Sequence, residues 1–485
     1  MYIGIDYGTS NTCAAFDNGS GPKVVPWPNK AATGPSAVFI PPDGRGLMVG
    51  HRAMAESRDA LEFLFSGVKR LFDVNWSDED TGGQTVKGDD GKTWLRGPED
   101  NYAPSQIASC VLEEMLMCAE HKFKKRPDGA VLTHPAMWTT PKKDCLREAA
   151  KMVGLEHIFL LPEPCAAAYA YRFDTSPIRV YFVYDWGAGT FDGASVVAGR
   201  GKVDVKDTDG ASVGGIDVDE AIVDWLKDQY REQHGVDLGV DIGAMIRLRQ
   251  HAEAAKISLS TLFEAKIEIP LIETLPPRTL KATLTRDKLE ELAKPFIDKT
   301  LEKCRKVMET AKLTNGNIAE VILVGGMTNM PCVSEAVKAF FGRAPRNDVD
   351  PDEAVALGAA TYAAMMAKII KPTERVIRVD HNFGVETSGN AMFKVLTKGT
   401  MLPLKEPVSC IMTTEQDGQE TISVHILEGE GLTAGDASRL AAVDFAVPPA
   451  PKGEASVELF FNMDPDGRKT VTGPNGPIYE GASNG

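Results

Sequence analysis

The sequence predicts an α/β region built from two related halves, followed by a small antiparallel β domain. Two segments of similar pattern, MYIGIDYGTSNTCAAF from Met1 and VYDWGAGTFDGASVV from Val183, indicate an internal duplication. Apolar strand-like blocks alternate with amphipathic helices up to about residue 372, which is typical of an α/β architecture. After that residue, short alternating runs and turn signals indicate antiparallel strands without helices.

Each of the two similar segments combines an apolar strand, an aspartate, a glycine turn and a hydroxyl. The first contains Asp6 and Gly8, and the second contains Asp185, Gly187 and Thr190. An ordinary hairpin turn needs only one glycine beside an asparagine or aspartate, and it remains the alternative for either segment taken alone. Two such turns that face each other would offer N–H groups and hydroxyls to phosphate oxygens, and carboxylates to Mg²⁺.

A third glycine turn ends a later strand. The segment VILVGGMTNMPCVSEAV from Val321 predicts an apolar strand, a turn at Gly325 and Gly326, and a helix that begins at Pro331. Two adjacent glycines let a flat or anionic group lie against the backbone. Three such turns at strand ends therefore predict a nucleotide-binding cleft between the two halves.

The longest helices and the later strands follow from periodicity. Apolar residues at helical spacing predict helices over Ser105–Lys122 and Asp287–Ala311. Alternating residues predict strands over Thr421–Ile426 and Ser456–Phe461.

These elements divide the chain into two domains, at residues 1–372 and 383–485, joined by a linker at 373–382. The linker mixes apolar with charged residues, whereas a plain tether would be polar. We therefore expect it either to dock onto a domain or to form the first strand of the β domain.

The composition excludes some classes of partner. Lysine and arginine total 53 against 68 acidic residues, so the formal net charge is −15. This charge disfavours nucleic acid or an anionic membrane as the main partner. No apolar run reaches ~20 residues, no leader pattern opens the chain, and the eight cysteines lack metal-binding spacing. We expect a protein of the reducing cytoplasm that binds neither nucleic acid nor membrane.

Nine motifs, taken together, resemble those of the seventy-kilodalton heat-shock chaperones. They are DYGTSN from Asp6, HPAMW from His134, PEPCAAA from Pro162, DWGAGTFD from Asp185, VGGMTNMP from Val324, DPDEAVALGAA from Asp350, FGVET from Phe383, HILEGE from His425 and PAPKG from Pro449. Any one motif is weakly specific, because actin and sugar kinases share the same cleft. The three motifs in the β domain make the combination specific.

The resemblance implies an actin-like, two-lobed ATPase domain of duplicated ribonuclease-H-like subdomains, followed by a β-sandwich that binds peptides. It implies ATP and ADP as cofactors, with Mg²⁺ and, as a second cation, K⁺. The implied partners are unfolded or extended hydrophobic polypeptides, with J-domain and nucleotide-exchange co-chaperones. The chain ends at Gly485, where other members continue into a helical lid. We expect a divergent, bacterial-type member that either lacks the lid or has been cut before it.

The resemblance also assigns roles to residues, with Lys69 orienting the attacking water and Glu163 coupling the site to movement of the lobes. The chemistry would be phosphoryl transfer by positioning and charge neutralisation. The implied Mg²⁺ ligands are Asp6, Asp185 and Asp192. The implied catalytic set is Lys69, Glu163, Thr190, Asp6 and Asp192. The implied nucleotide-binding set is Gly8, Thr9, Ser10, Asn11, Gly187, Ala188, Gly189, Gly214, Gly215, Glu253, Lys256, Ser260, Gly325, Gly326 and Asp352. The implied peptide-binding set is Phe383, Val385, Thr387, Met412, Val424 and Ile426.

Some positions depart from the pattern of that family. Ile257 and Asn329 stand where two arginines sandwich the adenine, so we expect weakened base binding and poor discrimination against GTP. The other departures are Ala188 for a glycine in the second phosphate turn, Ile216 for an acid, Lys143 for an arginine and Arg378 within an aliphatic linker.

Three functions remain open from the sequence. The first is a chaperone whose ATPase controls peptide binding by the β domain. The second is a degenerate member that binds nucleotide as a regulatory or scaffolding module with little turnover, which the retained acids and Lys69 disfavour. The third is a small-molecule kinase or filament protein, which the β domain disfavours.

Overall fold

The computed structural model of the chain describes residues 1–58, 60–77, 83–175, 177–200, 202–235, 237–238, 242–274, 276–346, 348–369, 374–375, 378–402, 404, 406–464 and 468–481. Three parts follow one another, which we call the first lobe (residues 1–175), the second lobe (177–369) and the β domain (378–481). Within the described residues, no helix has both the length and the apolar character that a membrane crossing requires.

The first lobe is built on a six-stranded mixed sheet with the order β12-β11-β1-β2-β3, in which β4 also pairs with β2. Its strands are β1 (Tyr2–Tyr7), β2 (Asn11–Asp17), β3 (Pro22–Val25), β4 (Thr33–Pro35), β5 (Val38–Phe39), β6 (Met48–Val49), β7 (Leu64–Phe65), β8 (Thr85–Lys87), β9 (Thr93–Arg96), β10 (Asn101–Tyr102), β11 (Gly129–His134) and β12 (His157–Pro162). Its helices are α1 (Gly50–Glu56), α2 (Pro104–Phe123), α3 (Thr140–Met152) and α4 (Glu163–Ala170).

The second lobe is built on a five-stranded sheet with the order β18-β13-β14-β15-β19, beside a separate hairpin of β16 and β17. Its strands, including a last one from the linker, are β13 (Arg179–Trp186), β14 (Phe191–Gly199), β15 (Lys202–Ala211), β16 (Glu264–Thr274), β17 (Pro277–Thr285), β18 (Ile318–Val324) and β19 (Glu374–Arg375). Its helices are α5 (Gly215–His234), α6 (Ile242–Ser258), α7 (Arg286–Thr310) and α8 (Pro331–Phe341). Helix α9 (Ala354–Met366) follows them along the chain but packs on the sheet of the first lobe, against β1 and β2.

The β domain consists of two antiparallel four-stranded sheets, β21-β20-β23-β24 and β22-β25-β26-β27. Its strands are β20 (Asn382–Thr387), β21 (Ala391–Leu396), β22 (Val408–Thr413), β23 (Thr421–Gly429), β24 (Ser438–Ala446), β25 (Ser456–Met463), β26 (Lys469–Gly473) and β27 (Gly476–Glu480). Buried side chains from both sheets, such as Phe383 and Phe461, form one hydrophobic cluster. Alternate residues of each strand supply this cluster because successive side chains of a strand point to opposite faces.

The predicted duplication appears in the sheet topology. In each lobe the first strand pairs antiparallel with the second, as β1 does with β2 and β13 with β14. That first strand also pairs in parallel with a later strand, β11 in the first lobe and β18 in the second. The two sequence segments that predicted the duplication therefore form equivalent hairpins at equivalent places in their sheets.

The predicted helices and strands formed near the expected positions. The helices predicted over Ser105–Lys122 and Asp287–Ala311 are α2 and α7, and the two predicted late strands are β23 and β25. The linker docks, because β19 pairs in parallel with β15 of the second lobe. The remaining linker residues 373, 376 and 377 lie outside the described part of the chain.

Helices α4 and α9 pack together between the two sheets. Their buried side chains join residues of both sheets, such as Val131 and Val183, in one hydrophobic cluster. The two helices approach closely at Gly358, where an added Cβ would lie 1.7 Å from the carbonyl oxygen of Ala166. A side chain cannot be accommodated there unless the helices separate.

The β domain contacts the first lobe through a buried ionic cluster. Lys469 donates to Asp380 (2.7 Å) and to Glu428 (2.6 Å), and Lys143 of α3 also pairs with Asp380. Glu428 accepts a hydrogen bond from the backbone N–H of Thr140, the first residue of α3 (2.7 Å). The carboxylate therefore caps the N-terminus of a helix in another domain, where negative charge is favoured.

The charged residue within the linker has a partner in the second lobe. Arg378 donates to Asp204 of β15 (2.8 Å), whose side chain is buried. Since Asp380 binds Lys143 of the first lobe, the linker is held by one ion pair to each lobe. This pairing accounts for the arginine that interrupts the aliphatic run.

We expect Gly358→Ala to destabilise the chain by about 1–3 kcal/mol, because the new methyl group forces α4 and α9 apart. Thermal unfolding by calorimetry measures the effect. Gly316→Ala is the matched control, since its added Cβ would meet nothing nearer than 3.7 Å. Equal unfolding temperatures for the two variants would contradict the assigned packing constraint.

Candidate functional site

A cleft of ≈ 360 Å³ lies between the two lobes, where the three glycine turns meet. The turns of the β1–β2 and β13–β14 hairpins touch, since a Cβ on Gly189 would lie 2.5 Å from Thr9 Oγ1. Of the predicted nucleotide and metal residues, those that line the cleft are Asp6, Gly8, Thr9, Ser10, Asn11, Lys69, Glu163, Asp185, Gly187, Ala188, Gly189, Thr190, Gly215, Glu253, Lys256, Ser260, Gly325, Gly326 and Asp352. Asp192 and Gly214 lie directly behind this lining.

The two hairpin turns share one backbone arrangement. The N–H of Gly8 donates to the carbonyl of Asn11 (3.0 Å), and the N–H of Gly187 donates to the carbonyl of Thr190 (3.0 Å). Each turn thus closes on the residue three positions later and places its hydroxyl residues at the cleft. The duplication extends from the sheets to the hydrogen bonds at their ends.

Four carboxylates converge on a single lysine at the base of the cleft. Asp185 and Asp192 are directly opposite each other in the β13–β14 pair, and Asp6 is the penultimate residue of β1. Lys69 donates to Glu163 Oε1 (3.0 Å), and both side chains are buried. The group carries three more negative than positive charges when fully ionised, which a buried site does not tolerate without a further cation or protons.

The pKa values reflect this excess of negative charge. Burial, reinforced by Glu163, raises the pKa of Asp192 to about 7. Burial followed by repulsion from Glu163 and Asp192 raises the pKa of Asp185 well above its usual range. Burial also raises the pKa of Asp6 and of Glu163, and Lys69 only partly opposes these rises.

Lys69 keeps its charge although it is buried. Burial by itself would lower the pKa of Lys69, but Glu163 and Asp6 outweigh burial and raise it. The ammonium also lies over the ring of Trp138, 5.2 Å from its centroid, where a cation is attracted to the π-face. The position of Lys69 is therefore set by a carboxylate and by an aromatic ring.

The donor set fits Mg²⁺. Hard divalent cations prefer carboxylate oxygens, and Asp6, Asp185 and Asp192 supply them from two facing hairpins. Thr133 donates to Asp6 Oδ1 (2.7 Å), which leaves the second oxygen of that carboxylate for another partner. No residue in the described part of the chain identifies a site for K⁺.

At the other end of the cleft, the side chains expected near a base are largely engaged with each other. Lys256 Nζ donates to Asp219 (2.8 Å) and to the carbonyl of Gly215 (3.1 Å). Asn329 donates to Asp352 (3.1 Å), and Ile257 is 61 % exposed at the rim. These contacts leave no guanidinium for stacking among the residues that line the cleft.

The predicted peptide-binding residues lie in and around the core of the β domain. Phe383, Val385, Val424 and Ile426 are fully buried, whereas Thr387 and Met412 are half-buried. All four belong to the sheet of β20 and β23, and they form part of the core cluster together with residues of the other sheet such as Phe461. A peptide could reach them only through a rearrangement, so their role stays a prediction.

Some residues of the site were missed by the sequence analysis. Thr133 and Trp138 contact Asp6 and Lys69 but lie 127 and 69 positions from them. Arg70 crosses the cleft to bind Gly189. The signals in the sequence were that Trp138 ends the HPAMW motif and that Arg70 directly follows Lys69.

The comparison with protein families gives one finding. A family model described as "Hsp70 protein" matches residues 2–476 of the 485 residues. The match covers both lobes and nearly all of the β domain.

We expect Asp192→Asn to stabilise the chain at pH 8 in the absence of divalent metal, by about 2–4 kcal/mol. The folded chain holds Asp192 protonated up to a pKa of about 7, whereas an ordinary aspartate has a pKa of 3.8. The folded state thus loses stability as the pH rises through 7, and asparagine removes that loss. The gain should be smaller at pH 5.

Calorimetric unfolding in the presence of a chelator measures this difference. Asp43→Asn, at an exposed position, serves as the control and should change little at either pH. If Asp192→Asn unfolded at or below the wild-type temperature at pH 8, the assigned protonation would be wrong.

Proposed function

The chain belongs to the Hsp70 family, and we propose on that basis that it is an ATP-dependent chaperone whose ATPase controls peptide binding by the β domain. The single observation that carries the proposal is that the Lys69–Glu163 pair, Asp6, Asp185 and three glycine turns line one cleft between the lobes, with Asp192 directly behind Asp185. None of the eight cysteines of the chain forms a disulfide, which supports a reducing compartment such as the cytoplasm.

The proposed mechanism assigns Mg²⁺ to Asp6, Asp185 and Asp192. When bound, the ion would neutralise phosphate charge and complete the charge balance of the cluster. The backbone N–H groups and hydroxyls of the two hairpin turns would hold the phosphates in place. These groups act equally on ground and transition states, so they supply binding rather than rate.

Lys69 would act on the step itself. Glu163 and Trp138 hold its ammonium at the base of the cleft, so its position costs little further ordering when nucleotide binds. A fixed cation beside the terminal phosphate would orient the attacking water and stabilise the charge that develops. Since the pKa of Asp192 is about 7, a proton and Mg²⁺ would compete for its carboxylate near neutral pH.

The second candidate is a nucleotide-binding regulatory module with little turnover. The observation that favours it is the base end of the cleft, where Lys256 and Asn329 are engaged with acids and Ile257 is exposed. Weak base contacts would lower affinity without removing the catalytic groups. The intact Lys69–Glu163 pair favours the chaperone over this candidate.

The partners proposed for the β domain are extended apolar polypeptides. Strands β21 and β24 are the edge strands of one sheet, and β22 is an edge strand of the other. An edge strand can pair with an extended chain. J-domain and nucleotide-exchange co-chaperones are proposed from family membership alone. Neither nucleic acid nor membrane is proposed as a partner, because the net charge is −15.

A short segment connects the proposed catalytic site to the β domain. At one end Thr133 binds Asp6, and Trp138 lies beneath Lys69. At the other end the carbonyl of Met137 accepts from His381 (3.0 Å), and Thr140 donates to Glu428. The eight-residue segment 133–140 thus contacts the proposed catalytic site at one end and the β domain at the other. This arrangement supports a coupling between phosphate chemistry and the position of the β domain.

Steady-state phosphate release by the full chain, with and without an extended hydrophobic heptapeptide, tests the proposed function. A chaperone should release phosphate in the presence of Mg²⁺ and change its rate when peptide is added. Binding of MgATP without turnover would support the regulatory module. Turnover that requires a small-molecule phosphate acceptor would support a kinase instead.

We expect Lys69→Ala to lower the rate of single-turnover ATP hydrolysis at least ~100-fold and to change ATP affinity only a few-fold. The reason is that Lys69 acts on transition-state geometry, whereas the turns and the metal carry binding. Lys294→Ala, an exposed position, is the control. Hydrolysis by Lys69→Ala at the wild-type rate would remove Lys69 from the mechanism.

We expect Glu428→Gln to abolish the response of phosphate release to peptide. Loss of one partner from a buried ion pair costs ~3 kcal/mol, which shifts the docking equilibrium of the β domain about 100-fold. Burial would raise the pKa of Glu428, but Lys469, His381 and Lys143 together outweigh burial and lower it, so the carboxylate is charged at neutral pH.

Hydrogen exchange of α3 in the full chain reports docking directly, alongside the ratio of phosphate release with and without peptide. Glu430→Gln is the matched control, because Glu430 pairs with Lys398 at 3.4 Å on the surface. A normal peptide response in Glu428→Gln would show that the ionic cluster does not transmit the coupling.

A further inference from the structure

Arg70 is a residue of the first lobe whose side chain reaches across the cleft to the second lobe. Its guanidinium donates to the carbonyl of Gly189 from two nitrogens, Nη2 at 2.7 Å and Nε at 3.2 Å. Nη2 also donates to Asp217 at 2.8 Å. Both partners lie in the second lobe, 119 and 147 positions along the chain.

The carbonyl that Arg70 binds is the last of three in the second hairpin turn. The carbonyl of Gly187 accepts from the N–H of Gly215 (3.1 Å), and that of Ala188 accepts from the N–H of Ile216 (2.9 Å). Both of these donors belong to the start of α5, within the same lobe. Only the carbonyl of Gly189 is held by a donor from the opposite lobe.

The hydrogen bonds to these three carbonyls matter because the turn is proposed to bind phosphate. A carbonyl oxygen that rotated into the cleft would present partial negative charge to the anion and withdraw the adjacent N–H. Donors on all three carbonyls prevent this rotation. Arg70 therefore completes the orientation of the turn, but only while the lobes are closed.

Asp217 strengthens the same contact. Its carboxylate accepts from the N–H of Gly214 (2.6 Å) and so caps α5, while it also accepts from Arg70. The start of α5 thus meets Arg70 of the first lobe through a charged contact, and the same carboxylate caps the helix.

We propose that Arg70 is a positioning residue. It links the first lobe to the second phosphate turn and thereby controls the rate at which nucleotide is released. The inference rests on the proposed nucleotide binding and adds to it the group that holds the cleft closed. When the lobes separate, Gly189 loses the donor that Arg70 supplies and the turn loses its fixed orientation. Opening of the cleft and loss of phosphate affinity then become one event.

The shape of the guanidinium allows Arg70 to bind both acceptors. Arginine offers a planar array of donors that bridges a carbonyl and a carboxylate at the same time. Lysine carries its donors on one nitrogen and would hold one of the two acceptors well. A purely electrostatic surface pair would not distinguish the two side chains, and its contribution would be small because both partners are about 30 % exposed.

The test measures the dissociation of a fluorescent ADP analogue from the full chain with Mg²⁺ by stopped flow. Arg70→Ala should release the analogue about tenfold faster than wild type, and Arg70→Lys should fall between the two. Arg126→Ala is the matched control, because Arg126 forms a two-point pair with Glu113 inside the first lobe at similar exposure. This control should release the analogue at the wild-type rate.

A double-mutant cycle separates positioning from simple stability. Arg70→Ala and Asp217→Asn should be non-additive in the dissociation rate, since the first removes the guanidinium and the second removes the charge of the same cross-cleft pair. The unfolding temperature of nucleotide-free Arg70→Ala should fall no more than that of Arg126→Ala. Asparagine at position 217 can still accept from Gly214, so α5 keeps its cap.

The outcomes separate this inference from the proposed function. If wild type binds the analogue and Arg70→Ala releases it at the wild-type rate, Arg70 does not control release, whereas the proposed nucleotide binding still holds. If Arg70→Lys behaves as wild type, a point charge is sufficient and the bridging role is wrong. If wild type binds no nucleotide, the proposed function fails and this inference fails with it.

Discussion

The structure depends on one electrostatic constraint, the surplus of carboxylates around Lys69. Asp6, Asp185, Asp192 and Glu163 meet where the two sheets end, and one buried lysine cannot balance them. The raised pKa values of these acids express the cost of bringing them together. A chain that keeps such a cluster sacrifices stability, which is the usual relation between a functional site and its fold.

The fold makes this cluster by repeating a single device. In each lobe a hairpin ends in a glycine turn, and the parallel pairing of its first strand places that turn at the same edge of its sheet. Helices α4 and α9 hold the two edges face to face, with Gly358 permitting their close approach. Movement of these helices changes the distance between the turns, so the packing beneath the cleft and the chemistry within it cannot vary independently.

The second ionic cluster ties the β domain to this arrangement. Lys469 and Glu428 lie on β26 and at the end of β23, and their burial is acceptable because Asp380 and the N-terminus of α3 complete the network. The same helix follows β11, whose Thr133 binds Asp6. The ionic cluster in the cleft and the ionic cluster at the domain interface are thus joined by one short segment. That segment connects the two domains directly.

The sequence by itself determined the local features: the strand-turn hairpins, the helices α2 and α7, the late strands, and the motif positions of Lys69 and Glu163. The hairpins, helices and strands depend on residue periodicity and turn chemistry, which neighbouring residues specify, whereas Lys69 and Glu163 were identified by their resemblance to the motifs of a known family. Only the tertiary structure decided that Arg70 meets Asp217, that Trp138 lies under Lys69, and that Glu428 caps α3. It also placed Val385 and Val424 in the core, because alternation shows that one face of a strand is apolar but not what that face packs against. Contacts between residues that lie tens to hundreds of positions apart arise from how sheets and helices pack, and no local pattern records that packing.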